Sequence, residues 1–565
     1  MIKNFFLVLG SIDKKFNIKF IFLNLIYILN SFAQSIYILS IAPIVSYVVS
    51  EDKNQVSKLM ERILDYGYIF FDNEIVIYFV FFIISSLFAN TFLIVLNYIN
   101  FSFNQNLLSK TRIKLFSKYS NSDYLFINSN NLSFYNTIIF QQVDRLVNNV
   151  FGSLNLIIQN TFTILMILFS ISLILKDSIL GISTAIILVL VLGVFFTKKF
   201  FSLKGEELNK ILKGRLDILN KLIINFKEVQ IFNLKKYLDN QYGIFENNYN
   251  KNIKYTSFFN HSTKPLIEII AVICFSLLIY TNYSLILTGN FIIQFSILVF
   301  ALYKILPSAN VIYTSINQIN FDKSSVNKIF DQIFRKPIIN HDERINYELN
   351  NEVLKENLIS LSLKDLSFGY DDQNLINNFT YNFKKNNFYI IKGPSGRGKS
   401  TLLNLMIGIL PLKSGDILLN NKKFFNYNNQ EWFKIISYVP QKITLLNNSI
   451  KENITFSFDN EFNDEKYKDI LKKVNLNEEF QNRENEIISE LSSNISGGQA
   501  QRIGLARALY RDSKIIFLDE PTSNLDEKNE ISFLNIVNSL KKDRIIIMIS
   551  HKNHKNIIFD DIIDL

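Results

Sequence analysis

Six long apolar stretches constrain the fold of this chain more than any other feature. A helix needs about 20 mostly apolar residues to cross the hydrocarbon core of a bilayer. Stretches near or above this length occupy residues 20–49, 75–99, 151–175, 179–197, 266–286 and 291–312 of the 565-residue sequence. Helices satisfy their own backbone hydrogen bonds, which lipid cannot do. The sequence therefore predicts an α-helical, six-span transmembrane domain over residues 1–320.

The charges beside these stretches predict their orientation. Basic side chains dominate the connections on one side of the predicted membrane, whereas residues 51–74 carry more acids than bases and residues 281–290 carry no charge. The basic set is Lys3, Lys14, Lys15, Lys19, Lys110, Arg112, Lys114, Lys118, Lys198, Lys199 and Lys204. Lysine and arginine accumulate on the cytoplasmic side. We expect both termini, and the helical segments after the second and fourth spans, to be cytoplasmic, with the first ten residues forming an amphipathic surface helix.

The overall charge and the cysteine content exclude other classes of protein. The net charge is +10, but the basic residues are scattered and no nucleic-acid motif accompanies them, so no nucleic-acid partner is expected. The single cysteine, Cys274, excludes an intrachain disulfide, and its apolar surroundings favour a small buried side chain over a catalytic thiol.

The C-terminal part of the chain has a different pattern. Residues 321–355 are charged and rich in turn-forming residues, which predicts a linker. From residue 356 to 565, short β-rich runs at 358–368, 388–391, 435–439, 515–518 and 545–549 alternate with helical segments. This alternation is typical of an α/β nucleotide-binding domain.

A phosphate-binding loop lies between the second of these runs and a helix. Residues 393–400 read Gly-Pro-Ser-Gly-Arg-Gly-Lys-Ser, a complete P-loop in the strand-to-helix context that the motif requires. Glycines let backbone N–H groups converge on a phosphate at a helix N-terminus, lysine adds a point charge, and the last hydroxyl reaches Mg²⁺. The candidate residues for ATP are Gly393, Ser395, Gly396, Gly398, Lys399, Ser400 and Thr401, with Ser400 also a candidate Mg²⁺ ligand.

An acidic pair follows the fourth predicted strand. Residues 515–520 read Ile-Ile-Phe-Leu-Asp-Glu, so that Asp519 ends a buried strand, from which it can reach Mg²⁺. Glu520 is then placed to polarise the attacking water as a general base. Taken alone, such a pair is more often an ordinary strand end.

The order of the remaining motifs favours the catalytic interpretation. Residues 494–499 read Asn-Ile-Ser-Gly-Gly-Gln, residues 438–441 read Tyr-Val-Pro-Gln, residues 523–526 read Ser-Asn-Leu-Asp, and His551 follows the last predicted strand. In this order the chain resembles the ABC transporter family, specifically exporters with a transmembrane domain fused to an ATPase. The resemblance implies adenine stacking by Tyr370, a Mg²⁺ contact from Gln441, and a switch role for His551. It also implies contacts from Ser496, Gly497, Gly498 and Gln499 to the ATP of a partner subunit.

This resemblance also implies a dimer. The chain has one P-loop and one Ser-Gly-Gly signature, which in the family face each other across two subunits. Because Glu520 and the signature are both intact, two identical chains would form two competent sites. An ATP-gated channel or regulator is the alternative of another class; a soluble ATPase would lack the spans, and an importer would not fuse them to the ATPase.

The substrate is the least determined property. Pro43, Pro265 and Pro307 lie within or at the ends of spans, where they should bend helices around a cavity. Lys304 lies inside the sixth span, and Lys264 begins the fifth, where it either faces a substrate or reaches the surface and pairs with Glu268.

Residues 301–310, together with a helical outer loop at 51–72, resemble PglK-type lipid-linked oligosaccharide flippases and related peptide exporters. This second resemblance implies that Lys264 and Lys304 meet a pyrophosphate and that residues 56–68 meet a polyprenyl tail, although Val311 stands where a further cation is expected. We therefore expect ATP-driven export or flipping of an amphipathic substrate across a bacterial inner membrane. A lipid-linked oligosaccharide is the first candidate, with a peptide, another lipid or a drug as alternatives.

Overall fold

The chain divides into two compact units. The computed structural model describes residues 2–49, 65, 67–172, 179–281, 289–334, 359–369, 375–394, 396–423, 430–456, 462–480, 483–488, 495–523, 525–552, 554 and 559–565. The first unit comprises Met1–Ser122 and Ser129–Lys336. The second comprises Asp123–Asn128 and Pro337–Leu565.

Long helices build the first unit. They are Ile2–Ile12, Phe16–Leu39, Ala42–Val49, Glu74–Ser120, Leu132–Asn136, Gly152–Ser172, Ile179–Ile224, Phe226–Ile231, Lys235–Thr281 and Gly289–Phe334, with π-helical turns at Thr137–Gln142 and Arg145–Phe151. Among the described residues, four segments are long and apolar enough to cross a membrane: Phe16–Val48, Glu74–Ser120, Leu132–Ser172 and Phe295–Phe334.

The fourth predicted span, 179–197, falls within the helix Ile179–Ile224. The helix Lys235–Thr281 contains the fifth predicted span as far as residue 281, and residues 282–286 lie outside the described residues. The connection between the third and fourth predicted spans, residues 176–178, lies outside the described residues, as do residues 51–64 and 66 of the predicted outer loop. A helix, Ile2–Ile12, is present where the N-terminal surface helix was predicted, with the side chains of Phe5, Val8 and Leu9 buried.

Side-chain polarity in the first unit suits a lipid environment. Large apolar side chains such as Phe22 and Phe88 are exposed, while polar groups face inward. Between helices, the Gln34 amide donates to the Ala89 carbonyl oxygen at 3.0 Å, and the Asn155 amide donates to Asn100 Oδ1 at 2.9 Å. Interhelical hydrogen bonds of this kind associate helices in membranes, where hydrophobic burial offers no driving force.

The last helix continues past residue 320, where the predicted transmembrane domain ends, as far as Phe334. The helix continues because side chains beyond the apolar stretch are also buried. Asp322 is fully buried, and its carboxylate accepts hydrogen bonds from Asn149 at 2.7 Å and Gln318 at 2.6 Å. Ser325 donates to Gln142 Oε1 at 2.7 Å. These contacts hold the helical extension against its neighbours, and the rest of the predicted linker, 335–355, lies outside the described residues.

Prolines occupy the predicted positions in the helices. The first span breaks after Leu39, and a separate helix begins at Ala42, so that Pro43 lies in its first turn, where no intrahelical N–H is required. Pro265 and Pro307 lie inside long helices, and each removes one backbone donor there. The Ser308 hydroxyl donates to the Lys304 carbonyl oxygen at 3.0 Å beside this gap.

Two larger sheets and one two-stranded antiparallel pair form the second unit. The strands are β1 Ser360–Phe368, β2 Ile376–Lys384, β3 Asn387–Lys392, β4 Ser414–Leu419, β5 Lys422–Lys423, β6 Ile436–Val439, β7 Asn448–Ser449, β8 Ile487–Ile488, β9 Ile515–Asp519, β10 Ile545–Ile549 and β11 Asp561–Asp564. A parallel sheet has the order β11-β3-β10-β9-β6, and an antiparallel sheet has the order β2-β1-β4-β5. All five predicted strands are confirmed as β1, β3, β6, β9 and β10.

Helices cover these sheets and complete the core. They are Lys399–Ile407, Gln430–Ile435, Ile450–Thr455, Asp464–Lys473, Asn477–Phe480, Gly497–Tyr510 and Glu527–Ser539. The short helix Tyr124–Asn128, which interrupts the first unit along the chain, belongs to this second unit. Its Leu125 packs against the hydrophobic cluster that contains the buried Trp432.

Candidate nucleotide-binding site

The P-loop connects β3 to the helix Lys399–Ile407. Four consecutive residues of β3 are buried, which anchors the loop in the parallel sheet, where β3 lies between β11 and β10. Gly396 and Gly398 have φ values of 84° and 92°, in the left-handed region that favours glycine. A Cβ atom at Gly398 would also lie 3.1 Å from Leu375 Cγ. The two glycines therefore allow the sharp turn that directs backbone N–H groups toward a phosphate.

Lys399 lies against the loop that it follows. Its ammonium group donates to the carbonyl oxygens of Gly393 at 2.7 Å and Pro394 at 2.9 Å, and the residue is only 7% exposed. Ser400 is exposed at the start of the helix, while Thr401 is buried beneath it. The cation is thus held at the position that a phosphate group would approach. Ser395 lies outside the described residues.

Asp519 ends β9 beside β6. The two strands are parallel, with Tyr438 opposite Phe517, so the Tyr438 hydroxyl reaches Asp519 Oδ2 and donates to it at 3.1 Å. Burial raises the pKa of the Asp519 carboxyl above its ordinary value, and the nearby Glu520 charge acts in the same direction, against the hydrogen bond from Tyr438 and the charge of Lys399. A nearby cation would stabilise the ionised form of such a carboxylate.

Glu520 carries a strained backbone. Its φ is 45°, a left-handed value in a residue with a side chain, and its N–H donates to the Ile549 carbonyl oxygen at 3.1 Å. Conformations of this kind cluster at functional sites. Its Oε2 accepts from Gln441 Nε2 at 3.2 Å and lies 3.2 Å from His551 Nδ1. The structure therefore brings together Glu520, Gln441 and the half-exposed His551, which lie far apart in the sequence.

The residues present fit a Mg²⁺ ion that arrives with a nucleotide. Mg²⁺ prefers hard oxygen ligands and is held in nucleotide sites by one or two carboxylates together with substrate phosphates. Asp519 and the Ser400 hydroxyl provide such oxygens, as does the amide of Gln441. Within the described part of the chain, no group of three or more His, Cys, Asp or Glu residues could hold a metal ion alone. These ligands thus match a Mg²⁺ site that the protein shares with the nucleotide phosphates, and not a site formed by protein ligands alone.

The Ser-Gly-Gly signature begins the helix Gly497–Tyr510. Ser496 is its N-cap: Ser496 Oγ accepts from the Gln499 N–H at 3.2 Å, and Gln499 Oε1 accepts from the Ser496 N–H at 2.8 Å. The Gln499 amide also donates to Glu479. Gly497 and Gly498 lie in the first turn of the same helix. This capping box fixes a helix N-terminus, whose partial positive charge favours an anion.

A buried network beside the site was not predicted. His554 Nδ1 lies 2.6 Å from Glu530 Oε1 and His554 Nε2 lies 2.8 Å from Ser550 Oγ. Lys552 donates to Glu530 at 2.9 Å and to the Thr522 carbonyl oxygen at 2.9 Å. These bonds connect the loop that contains His551 to the loop that follows Glu520. The one sequence feature that could have indicated this network is a second histidine, His554, three residues after His551.

The candidate substrate residues have partners within the first unit. Lys304 is partly buried, and its ammonium lies 5.3 Å from the centre of the Tyr37 ring, an arrangement in which the ring face attracts the cation. Lys264 is exposed, and its Nζ lies 3.9 Å from Glu268 Oε1, in keeping with the ion pair that was the alternative to substrate contact. Tyr370 lies outside the described residues.

Comparison with known proteins agrees with this architecture. Residues 376–523 match the ABC transporter family. A bacterial Atm1-family ABC exporter, solved with ATP bound, superposes with a TM-score of 0.75 over 94% of this chain and 92% of its own, at 15% identity. The chain therefore has the fold of an Atm1-like ABC exporter, a helical transmembrane domain joined to a P-loop ATPase domain.

Curated relatives are bacterial permeases with fused ATP-binding domains. A putative export ATP-binding/permease protein of Rickettsia typhi is 34% identical over 45% of this chain and 44% of its own length. A probable ABC transporter ATP-binding/permease protein of Haemophilus influenzae is 32% identical over 36% of this chain and 38% of its own. A multidrug resistance ABC transporter protein of Lactococcus lactis is 29% identical over 34% of this chain and 33% of its own. The chain thus matches less than half of the length of these relatives.

Proposed function

We propose that this chain, whose residues 376–523 match the ABC transporter family and whose fold is that of an ABC exporter, is one half of an ATP-driven exporter in a bacterial inner membrane. The observation that carries the proposal is the convergence of Glu520, Gln441 and His551 beside Asp519 in a domain joined to membrane-type helices. The basic connections favour a topology with both termini in the cytoplasm.

Each residue of the site has a task in ATP hydrolysis. The P-loop amides and Lys399 bind the phosphates, and Ser400, Asp519 and Gln441 would hold Mg²⁺, which neutralises developing charge on the phosphates. Glu520 orients a water molecule and accepts its proton as the water oxygen bonds to the γ-phosphorus and ADP leaves. His551, 3.2 Å from the same carboxylate, contacts the γ-phosphate. An intact Glu520 favours this role over that of a channel or regulator.

Two identical chains would complete two such sites. The capping box of Ser496 and Gln499 presents a helix N-terminus that can bind the γ-phosphate of a partner's nucleotide. The single P-loop and the single Ser-Gly-Gly signature of the chain support this dimeric arrangement.

Mixing two inactive variants tests the shared sites. Lys399→Ala removes the phosphate cation, and Ser496→Arg blocks the signature. Either variant alone has no intact composite site, whereas each mixed dimer contains one intact P-loop facing one intact signature. We expect ATPase activity to reappear when the purified variants are co-reconstituted. Full turnover by either variant alone would rule out sites shared between chains.

The substrate that we favour is an amphipathic molecule with an anionic headgroup, a lipid-linked oligosaccharide first. A cation within a membrane span is expensive unless it has a partner, and Lys304 is such a cation. The Tyr37 ring is a weak partner for the Lys304 cation, so that the ammonium protons stay available for a pyrophosphate. Lys264, paired with Glu268, contributes less. A peptide or drug substrate is the alternative, since one relative is named for multidrug resistance.

Charge substitutions at Lys304 test this choice. Lys304→Ala should abolish substrate-stimulated ATP hydrolysis and leave basal hydrolysis largely intact, and Lys304→Glu should be worse because it repels the headgroup. Lys323→Ala, on the exposed face of the same helix beyond the predicted span, is the matched control. The measurement is ATPase stimulation by a polyprenyl-pyrophosphate oligosaccharide in reconstituted vesicles. Equal stimulation of wild type and Lys304→Glu would exclude this substrate class and favour the peptide exporter.

A further inference from the structure

A groove lies at the base of the first two predicted spans, within the first unit. It forms where the turn between the helices Ile2–Ile12 and Phe16–Leu39 faces the middle of the helix Glu74–Ser120, and it encloses about 500 Å³. All of its lining residues belong to the first unit. Neither the ATPase chemistry nor the proposed substrate contact uses it.

One end of the groove carries two cations bound to one carboxylate oxygen. Asp13 Oδ2 accepts from Lys110 at 2.8 Å and from Lys19 at 2.9 Å, while Asp13 Oδ1 accepts from the Lys15 N–H at 3.0 Å. The hydrogen bonds from Lys110 and then Lys19 hold the pKa of Asp13 well below its ordinary value. The carboxylate is therefore ionised at every physiological pH, and the group of three side chains has a net charge of one positive unit.

The two lysines keep donors available. Their side chains are 44% and 48% exposed, whereas Asp13 is only 12% exposed. Each ammonium has three protons and gives one to Asp13. Because both ammonium groups lie against the same oxygen, a single phosphate group could contact both.

The other walls are amphipathic. Ile99, Phe103 and Leu107 give one apolar side, and Ser102 and Asn106 place short polar groups between them and the cations. Along the same helix toward the membrane centre, the side chains of Ile94, Val95 and Tyr98 are more than half exposed. The groove thus spans the change from lipid-facing apolar surface to basic polar surface.

We propose that this groove binds an anionic phospholipid of the cytoplasmic leaflet. Its phosphate would lie between Lys19 and Lys110, its glycerol and headgroup hydroxyls at Ser102 and Asn106, and one acyl chain along Ile99 and Phe103. Lysines just cytoplasmic of membrane spans attract anionic headgroups, with about 1 kcal/mol for each residue. The inference rests on the proposed membrane orientation but not on the transported substrate.

Lipid titration of the purified full-length protein, followed by native mass spectrometry, tests the site. The probes are phosphatidylglycerol and phosphatidylcholine with identical acyl chains. Replacing both lysines (Lys19→Gln with Lys110→Gln) should weaken phosphatidylglycerol binding about 30-fold, since each lysine contributes roughly fivefold. Phosphatidylcholine binding should stay unchanged.

Matched variants distinguish a groove from general surface charge. Lys14→Gln with Lys15→Gln removes the same charge from exposed neighbours that do not line the groove, and should weaken binding less than threefold. Ser102→Trp fills the groove without changing charge and should reduce lipid retention. Inorganic phosphate alone should not displace the lipid.

Equal losses in the two lysine pairs, no loss with Ser102→Trp, or displacement by inorganic phosphate would overturn the proposal. Basal ATPase activity of every variant reports whether the protein is folded. Absence of basal ATPase activity in the wild type would contradict the proposed function but would leave the lipid-binding result unaffected.

Discussion

Replacing Glu520 with glutamine separates catalysis from binding. The substitution preserves shape but removes the negative charge that, in the proposed mechanism, accepts a proton from water. Two nitrogen atoms lie 3.2 Å from Glu520 Oε2: Gln441 Nε2, which donates to it, and His551 Nδ1. An amide oxygen can still accept the hydrogen bond from Gln441, so the loop should keep its conformation, including the left-handed backbone at residue 520.

The expected effect is large and specific to turnover. A positioned general base contributes about 10²- to 10⁴-fold to rate. Lys399, with its two carbonyl contacts, and Asp519, held by the Tyr438 hydroxyl, are untouched by the change. We therefore expect kcat for ATP to fall by roughly 10²- to 10⁴-fold while ATP affinity changes only a few-fold. Closed, ATP-bound dimers should accumulate.

Phosphate release gives kcat and equilibrium ATP binding gives the affinity, both measured on the same reconstituted preparation. Glu527→Gln is the matched control, because Glu527 is an exposed glutamate in the first turn of the following helix and contacts none of these groups. It should keep wild-type turnover. Near-normal hydrolysis by Glu520→Gln would refute the assignment of the general base, and an equal loss of ATP affinity and turnover would indicate a structural role.

Three further predictions concern the same domain. Tyr438→Phe removes the hydrogen bond to Asp519 and should raise the Mg²⁺ concentration needed for half-maximal ATPase activity by about three- to tenfold; an unchanged Mg²⁺ titration would contradict this role. Gly398→Ala forces a left-handed φ of 92° on a residue with a Cβ and should weaken ATP binding about tenfold in a nucleotide titration, whereas wild-type affinity would show that the loop adapts. Burial lowers the pKa of His554 below its ordinary value of about 6.5, so acid protonates the unfolded chain first and stability falls as the pH drops below about 6.5. The melting temperature of the wild type should therefore fall more between pH 7.5 and 5.5 than that of His554→Gln, and parallel slopes would exclude His554 as the cause.

The sequence predicted those parts of the site whose chemistry depends on local order. The P-loop, the buried strand before Asp519 and the strand before His551 were each recognisable because strand, turn and helix follow one another within a few residues. The strands β2 and β4 were not predicted. In β2 the sequence reads Ile-Asn-Asn-Phe-Thr-Tyr-Asn-Phe-Lys, and its pairing with β1 is irregular, so the alternation that marks a strand is weak.

Long-range contacts could not be predicted from the sequence. The Tyr438 hydroxyl reaches Asp519 only because β6 and β9 are adjacent in the sheet, although β7 and β8 come between them along the chain. The helix Tyr124–Asn128 belongs with the second unit although it lies between helices of the first. From the sequence, the only partner that we expect for Lys304 is an anionic substrate. The Tyr37 ring lies beside Lys304 because two helices pack together, which the sequence does not predict.

ATP-dependent lipid flipping in vesicles shows whether ATP hydrolysis at this site drives transport. A fluorescent polyprenyl-pyrophosphate oligosaccharide is placed in both leaflets of proteoliposomes, and a membrane-impermeant quencher reports its movement after ATP is added outside. We expect movement with the wild type that requires ATP and Mg²⁺, and no movement with Glu520→Gln. Movement that is independent of ATP, or equal movement with Glu520→Gln, would contradict a transporter driven by this site.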